Sequence, residues 1–204
     1  LIRDAAAATL LVTHDPEEAM LMADRILVMN QGRIIQDGTP EETYFRPRTE
    51  FVADLFGSVN RIEGIIHNNA LETSVGIFAA DNLSNGDHAQ VLIRPEAFEL
   101  ASADDASSKW AENPNRPSSS GPFVSAPGFV VTNTRTIGRA SLISFLAPLN
   151  NGTQTELEAR ISGIFLPEIG SRVTVKVNLD QAFVFPIDFK ESQENNKKPA
   201  AMDV

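Results

Sequence analysis

Thr9-Leu-Leu-Val-Thr-His14-Asp-Pro-Glu-Glu-Ala19 is the stretch whose reading decides the fold. Thr9 to Thr13 is short, apolar and β-branched, the composition of a buried parallel strand. Asp15 then offers a helix cap, Pro16 suits the first helical position, and Glu18 stands three residues after the cap. A helix is expected from there to about Asp24. The junction would set the His14 imidazole at the carboxyl end of a strand, where open α/β sheets keep their ligands. Glu17 and Glu18 are read as first-turn charges favoured by the helix dipole.

Working outward, Leu1 to Ala8 is alanine-rich and reads as the end of a helix. Ile26 to Met29 is a second apolar strand, Asn30-Gln31-Gly32 a turn, and Arg33 to Gln36 the returning arm of a hairpin. Thr39-Pro40-Glu41-Glu42 repeats the start signal of Asp15, so a short helix follows and Pro47 ends it. Glu50 to Phe56 predicts one more helix, stopped by Gly57. After Ser58 helical periods disappear. Short β-rich runs replace them at Arg61 to Ile66, Leu71 to Phe78, Ala89 to Ile93, Phe129 to Thr134, Ser141 to Leu146, Glu156 to Ile161, Arg172 to Val177 and Phe183 to Phe185. Gly, Asn and Asp clusters separate them, which predicts a small barrel or a pair of barrels. Ala101 to Pro122 is rich in Ser, Pro, Asn and Asp and reads as a mobile insertion. The polar stretch 191–204 reads as a disordered tail. The pattern therefore predicts an α/β portion over 1–58 followed by an all-β barrel domain over 59–190; the resemblance given below makes the first the remnant of a larger domain and the second OB-like.

Composition narrows the function. At 42% hydrophobic the 204 residues can build real cores. The net charge of −10 disfavours nucleic acid, whose phosphates are met by Lys and Arg, and disfavours a basic membrane-surface module. With no Cys, disulfides and thiolate metal sites are excluded. No apolar run reaches the roughly 18 to 20 residues that span a bilayer. His67 and His88 flank turns and read as surface residues, and Asp104-Asp105 as a solvated loop charge, so no metal site is expected. Trp110 falls inside the insertion. Phe129, Phe145, Phe183 and Phe185 lie in apolar runs and read as core, which also argues against a base-stacking face.

Val12-Thr13-His14-Asp15-x-x-Glu18-Ala19 resembles the switch-histidine segment of ABC transporter ATPases. The likeness continues through Ala23-Asp24-Arg25-Ile26, Asn30-Gln31-Gly32-Arg33-Ile34, Gly38-Thr39-Pro40-x-Glu42 and Phe51-Val52-x-x-Leu55-Phe56-Gly57. The chain is thus similar to the ATP-binding subunits of ABC importers that carry a C-terminal regulatory extension, the sugar, polyamine and ferric-iron group among them. In the second half, Leu92-Ile93-Arg94-Pro95-Glu96, Thr136-Ile137-Gly138-Arg139, Gly170-x-x-Val173 and Ala182-Phe183-Val184-Phe185 resemble the transport-associated OB-type (TOBE) domain. Arg94 and Glu96 are read as a structural ion pair or as part of a regulatory surface, with structural support favoured. Pro95 marks a strand end.

The resemblance implies that 1–57 is the last part of a P-loop NTPase domain and that His14 contacts the γ-phosphate of ATP and the attacking water. The chain contains no G-x-x-x-x-G-K-[ST] loop, no Leu-Ser-Gly-Gly signature and no apolar strand ending in Asp-Glu. The family carries these upstream, so the resemblance implies the C-terminal part of a longer subunit. ATP and Mg²⁺ are expected in that full-length subunit, with no tight binding and no hydrolysis by this chain alone. The implied partners are a second copy of the ATPase subunit, transmembrane permease subunits and, indirectly, a periplasmic solute-binding protein, on the cytoplasmic face of the membrane. The alternatives are a non-catalytic, small-ligand-binding regulatory OB-type module and a purely structural dimerisation domain. The Gly57-to-Glu63 junction and the Leu71-to-Phe78 run lean toward the iron or polyamine branch.

Overall fold

The computed structural model describes residues 9–102 and 126–187. The expected helix at Leu1 to Ala8, the insertion beyond Ser102 with Asp104-Asp105 and Trp110, and the tail 191–204 lie outside the described residues. The chain divides into two compact units, Leu1–Val59 and Asn60–Val204.

The first unit mixes helix and strand. Helix α1 (Pro16–Met22) starts where the cap signal predicts and ends two residues early, with Ala23 as C-cap. Strands β1 (Ile26–Asn30) and β2 (Arg33–Gly38) pair antiparallel as a two-stranded sheet of their own. Gln31 and Gly32 both take positive φ, 47° and 77°, the mirror-image turn that matches strand twist in a two-residue hairpin. Helix α2 (Pro40–Phe45) carries a reciprocal capping box between Thr39 and Glu42, and α3 (Glu50–Leu55) is capped by Thr49. Ile26, Val28, Val52 and Phe56 form its core.

The predicted strand at Thr9 to Thr13 does not form. Leu10 is 86% and Val12 87% exposed, and the run carries no strand pairing. A strand is held only when its N–H and C=O groups meet a neighbouring strand, and among the described residues none lies beside this run.

The second unit is all-β, with two five-stranded antiparallel sheets. One runs β10-β9-β8-β11-β7, built from β7 (Phe98–Ser102), β8 (Ala126–Ile137), β9 (Ala140–Pro148), β10 (Gln154–Ser162) and β11 (Arg172–Val177). The other runs β12-β6-β3-β4-β5, from β3 (Asn60–His67), β4 (Ala70–Thr73), β5 (Gly76–Ala79), β6 (His88–Ile93) and β12 (Ala182–Pro186). Strand β3 changes partner along its length, β6 along Asn60–Ile65 and β4 at Ile66 and His67, which curls this sheet into a half-barrel. In β9 the inward side chains alternate as Ser141, Ile143, Phe145 and Ala147. They join residues of both sheets in one core, where Phe98 and Phe129 meet Phe145 edge-on at 5.4 and 5.7 Å.

Three differences from the sequence expectation have local causes. Leu71 to Phe78 is a hairpin, because Ser74 and Val75 turn the chain so that Thr73 pairs with Gly76. Ala101 and Ser102 belong to β7, held by Thr174 and Val173 across the ladder, not to the insertion. Strands β8 to β10 extend beyond their apolar cores, because the ladder bonds backbone whatever the side chains are.

Candidate functional site

His14 stands between two anchored residues. The Thr13 hydroxyl donates to Glu18 Oε2 at 2.6 Å and accepts from the Asp15 N–H at 3.1 Å. Asp15 Oδ1 accepts from the N–H groups of Glu17 and Glu18 at 2.9 and 3.2 Å, so two free donors of the first helical turn are satisfied. Glu18 therefore closes on Thr13, two residues before the Asp15 cap. The consequence is a fixed backbone that presents an exposed imidazole. Such a ring can accept or donate one hydrogen bond to a group brought against it.

The other sequence candidates are scattered. His67 and His88 are exposed beside strand ends. Among the described residues no group of three or more His, Cys, Asp or Glu could hold a metal ion, and no helix is long and apolar enough to cross a membrane. Arg94 and Glu96 part company. Arg94 is fully buried with its guanidinium 5.8 Å from the Phe183 ring centroid, a packing role. Glu96 is exposed and pairs with Arg160 at 3.3 Å.

That pair leads to a feature missed in the sequence. A cavity of about 500 Å³ opens where edge strands β7 and β10 approach each other without pairing. Phe98, Ile137 and Ile161 give it apolar wall, and Glu96, Arg139, Arg160 and Ser162 line it with polar groups. Arg139 is carried there by the Gly138-Arg139 turn between β8 and β9, in which Gly138 has φ 68°. These residues come from strands far apart in sequence, so no local motif announces the cavity.

No protein-family model matches the chain. Curated relatives do. The chain is 44% identical over 93 residues to the spermidine/putrescine import ATP-binding protein PotA of Borrelia garinii subsp. bavariensis, covering 44% of this chain and 26% of that protein. It is 42% identical over 99 residues to the Fe(3+) ions import ATP-binding protein FbpC 2 of Rhizobium meliloti, covering 47% and 25%. It is 32% identical over 164 residues to the sulfate/thiosulfate import ATP-binding protein CysA of Xylella fastidiosa, covering 80% and 46%. This last match is longer than either unit, so it runs through both. The chain spans less than half the length of these relatives. A solved structure of the cytoplasmic molybdate-binding protein ModG with molybdate bound aligns with 61% of this chain and 94% of its own, at 12% identity and TM-score 0.37, too distant a likeness to carry a ligand across. The relatives that this chain matches at 32–44% identity are ATP-binding subunits of ABC importers, and the likeness covers part of such a subunit.

Proposed function

We propose that this chain is the C-terminal portion of the ATP-hydrolysing subunit of an ABC importer, and that it energises solute uptake through a membrane-embedded permease. One observation carries the reading: identity to import ATP-binding proteins continues across 164 residues and both structural units. The surface of the first unit supports it. Leu10, Val12, Leu21, Met29 and Ile34 are all more than half exposed, apolar side chains left outside the small core of this unit. In this reading the remainder of the nucleotide-binding domain covers them.

His14 then acts as the switch histidine, turned toward the γ-phosphate and the attacking water. ATP and Mg²⁺ belong to the full-length subunit, whose phosphate loop and metal ligands are other residues than these. Two subunits pair, each site using both, at the cytoplasmic face of the membrane, with a periplasmic solute-binding protein delivering the solute. Relatives named for polyamine, sulfate and ferric iron match at similar identity, so the shared residues follow the motor and not the solute. The test is His14→Ala in the full-length subunit. ATP-driven uptake is expected to be lost, and uptake at the wild-type level would refute the assignment.

A second reading, a small-ligand-binding regulatory module, is supported by the cavity between β7 and β10, which Arg139 lines. Titration calorimetry of the chain with molybdate, sulfate, ferric ion and sugars tests it. Binding that disappears in Arg139→Ala favours it, and the absence of heat with all four counts against it.

A further inference from the structure

We propose that the cavity between β7 and β10 takes a small organic anion, a carboxylate carried on an apolar body, with Arg139 as its anchor. This occupant deepens the ligand-binding reading of the second unit and rests on it. The charges around the cavity select an anion. Glu96 and Arg160 line it and pair with each other at 3.3 Å. Glu99 also lines it and stands opposite Lys176 in the β7–β11 ladder, where opposite charges attract across the strands. The Arg139 guanidinium is left, with no hydrogen-bonded or ionic partner among the described residues. One positive charge therefore remains for an occupant to match.

The backbone that carries Arg139 is held in place. Ile137 pairs with Ala140 across the β8–β9 turn, and Ala140 pairs in turn with Ser162 of β10, so these three lining residues form one row across three strands. The Gly163 N–H donates to the Arg139 carbonyl at 2.9 Å. The fully buried Ser141 hydroxyl donates to the Gly163 carbonyl and accepts from the Phe165 N–H, both at 3.0 Å. A turn already fixed loses little entropy when its side chain engages a ligand. Ser162, in the same row, adds a hydroxyl donor for an anionic oxygen.

Size and wall chemistry select the body. A volume of about 500 Å³ falls within the roughly 300–1,000 Å³ of sites that hold organic molecules. Phe98 and Leu100 are each 2% exposed, so that wall is fixed by the core, while Ile137 is 38% exposed and has surface left to cover. Sulfate or molybdate would answer Arg139 and leave the apolar wall to water. A sugar would lay hydroxyls against that wall and leave Arg139 without an anion. A polyamine would meet Arg139 as like charge. A planar carboxylate fits the guanidinium fork with two parallel bonds, and an apolar body behind it covers Ile137 and Ile161.

Chemical-shift titration of the isotope-labelled 204-residue chain with hydrocinnamate reads the outcome, against hydrocinnamyl alcohol, phenylpropylamine and sulfate as comparisons. Amides of Arg139, Ala140, Ile161 and Ser162 should shift together, with a dissociation constant of about 1 mM, the range open to so small a molecule. The alcohol, the amine and sulfate each lack one half of the match and should bind at least about tenfold more weakly. Arg139→Ala should weaken hydrocinnamate at least about tenfold. Arg135→Ala removes the same charge from outside the lining and should leave binding within about twofold. Arg139 is exposed on a turn, so its loss should not move the melting temperature, and the comparison of ligands needs no substitution at all. Shifts that are absent at roughly 10 mM, that fall away from the lining, or that persist in Arg139→Ala overturn the assignment. Arg139-dependent shifts with sulfate and none with hydrocinnamate would refute this occupant and leave the ligand-binding module standing. Silence from every probe, with molybdate, ferric ion and sugars included, would remove both, while the His14→Ala transport assay tests the ATPase reading separately.

Discussion

Arg25 grips Asp37 with two bonds, Nε to Oδ1 at 2.6 Å and Nη2 to Oδ2 at 2.7 Å, across the open end of the β1–β2 hairpin. The Arg25 hydrogen bond holds the Asp37 carboxyl below its ordinary value. A carboxyl lowered in the folded state stabilises it above the unfolded value, and that stability is lost as pH falls through the folded one. Melting temperatures taken from pH 6 down to about pH 2 should therefore fall at the acid end, and Asp37→Asn should remove part of that slope. The pair is exposed, so the effect is small and should shrink in high salt. Asn60 is the opposite case. It is buried, its Nδ2 donates to the Ile93 and Glu158 carbonyls at 3.2 and 2.9 Å, and its Oδ1 accepts from the Glu158 N–H at 2.7 Å. It joins β3 of one sheet to β10 of the other. Asn60→Ala strands buried backbone groups and is expected to cost about 2–3 kcal/mol in urea unfolding. A loss under about 0.5 kcal/mol would show that the two sheets do not depend on it.

Elements whose signals are local were readable before the structure. The Asp15 and Thr39 caps, the Gln31-Gly32 turn and the alternation of β9 each depend on residues a few positions apart. Thr39→Ala is accordingly expected to cost about 1 kcal/mol, seen as earlier exchange of the α2 amides. Gln31→Asn should stabilise the hairpin by roughly 0.5 kcal/mol, since Asn takes positive φ more readily than Gln. What escaped the sequence was decided by distant partners. The apolar run at Thr9 has strand composition but no neighbour to pair with among the described residues. Strand β7 follows a Pro95 turn that resembles the start of a loop, and only β11 makes it a strand. The reading of His14 rests on one continuous segment, whereas the cavity gathers residues from the turn before β7 through to β10 that no local motif joins.

At the scale of the whole molecule the two units differ in what holds them. Among the described residues, a cluster of twenty-two buried apolar residues holds the second, against four in the first. Amide exchange should therefore open β1 and β2 well before β9, and calorimetry should show the first unit melting at lower temperature. Comparable protection in both would mean that the first unit is stabilised by something other than its own small core. One further consequence follows from β11. It pairs with β7 on one side and β8 on the other, with Val173 opposite Ser102 and Val175 opposite Ala126. The chain thus departs at Ser102 and returns at Ala126 across two strand spacings, about 10 Å. Closing a longer interval between such near points costs only about 0.6 kcal/mol per doubling of its length. Residues 103–125 are thus a natural splice point, where a guest peptide or a reporter domain can be inserted while the ladder on either side keeps its register.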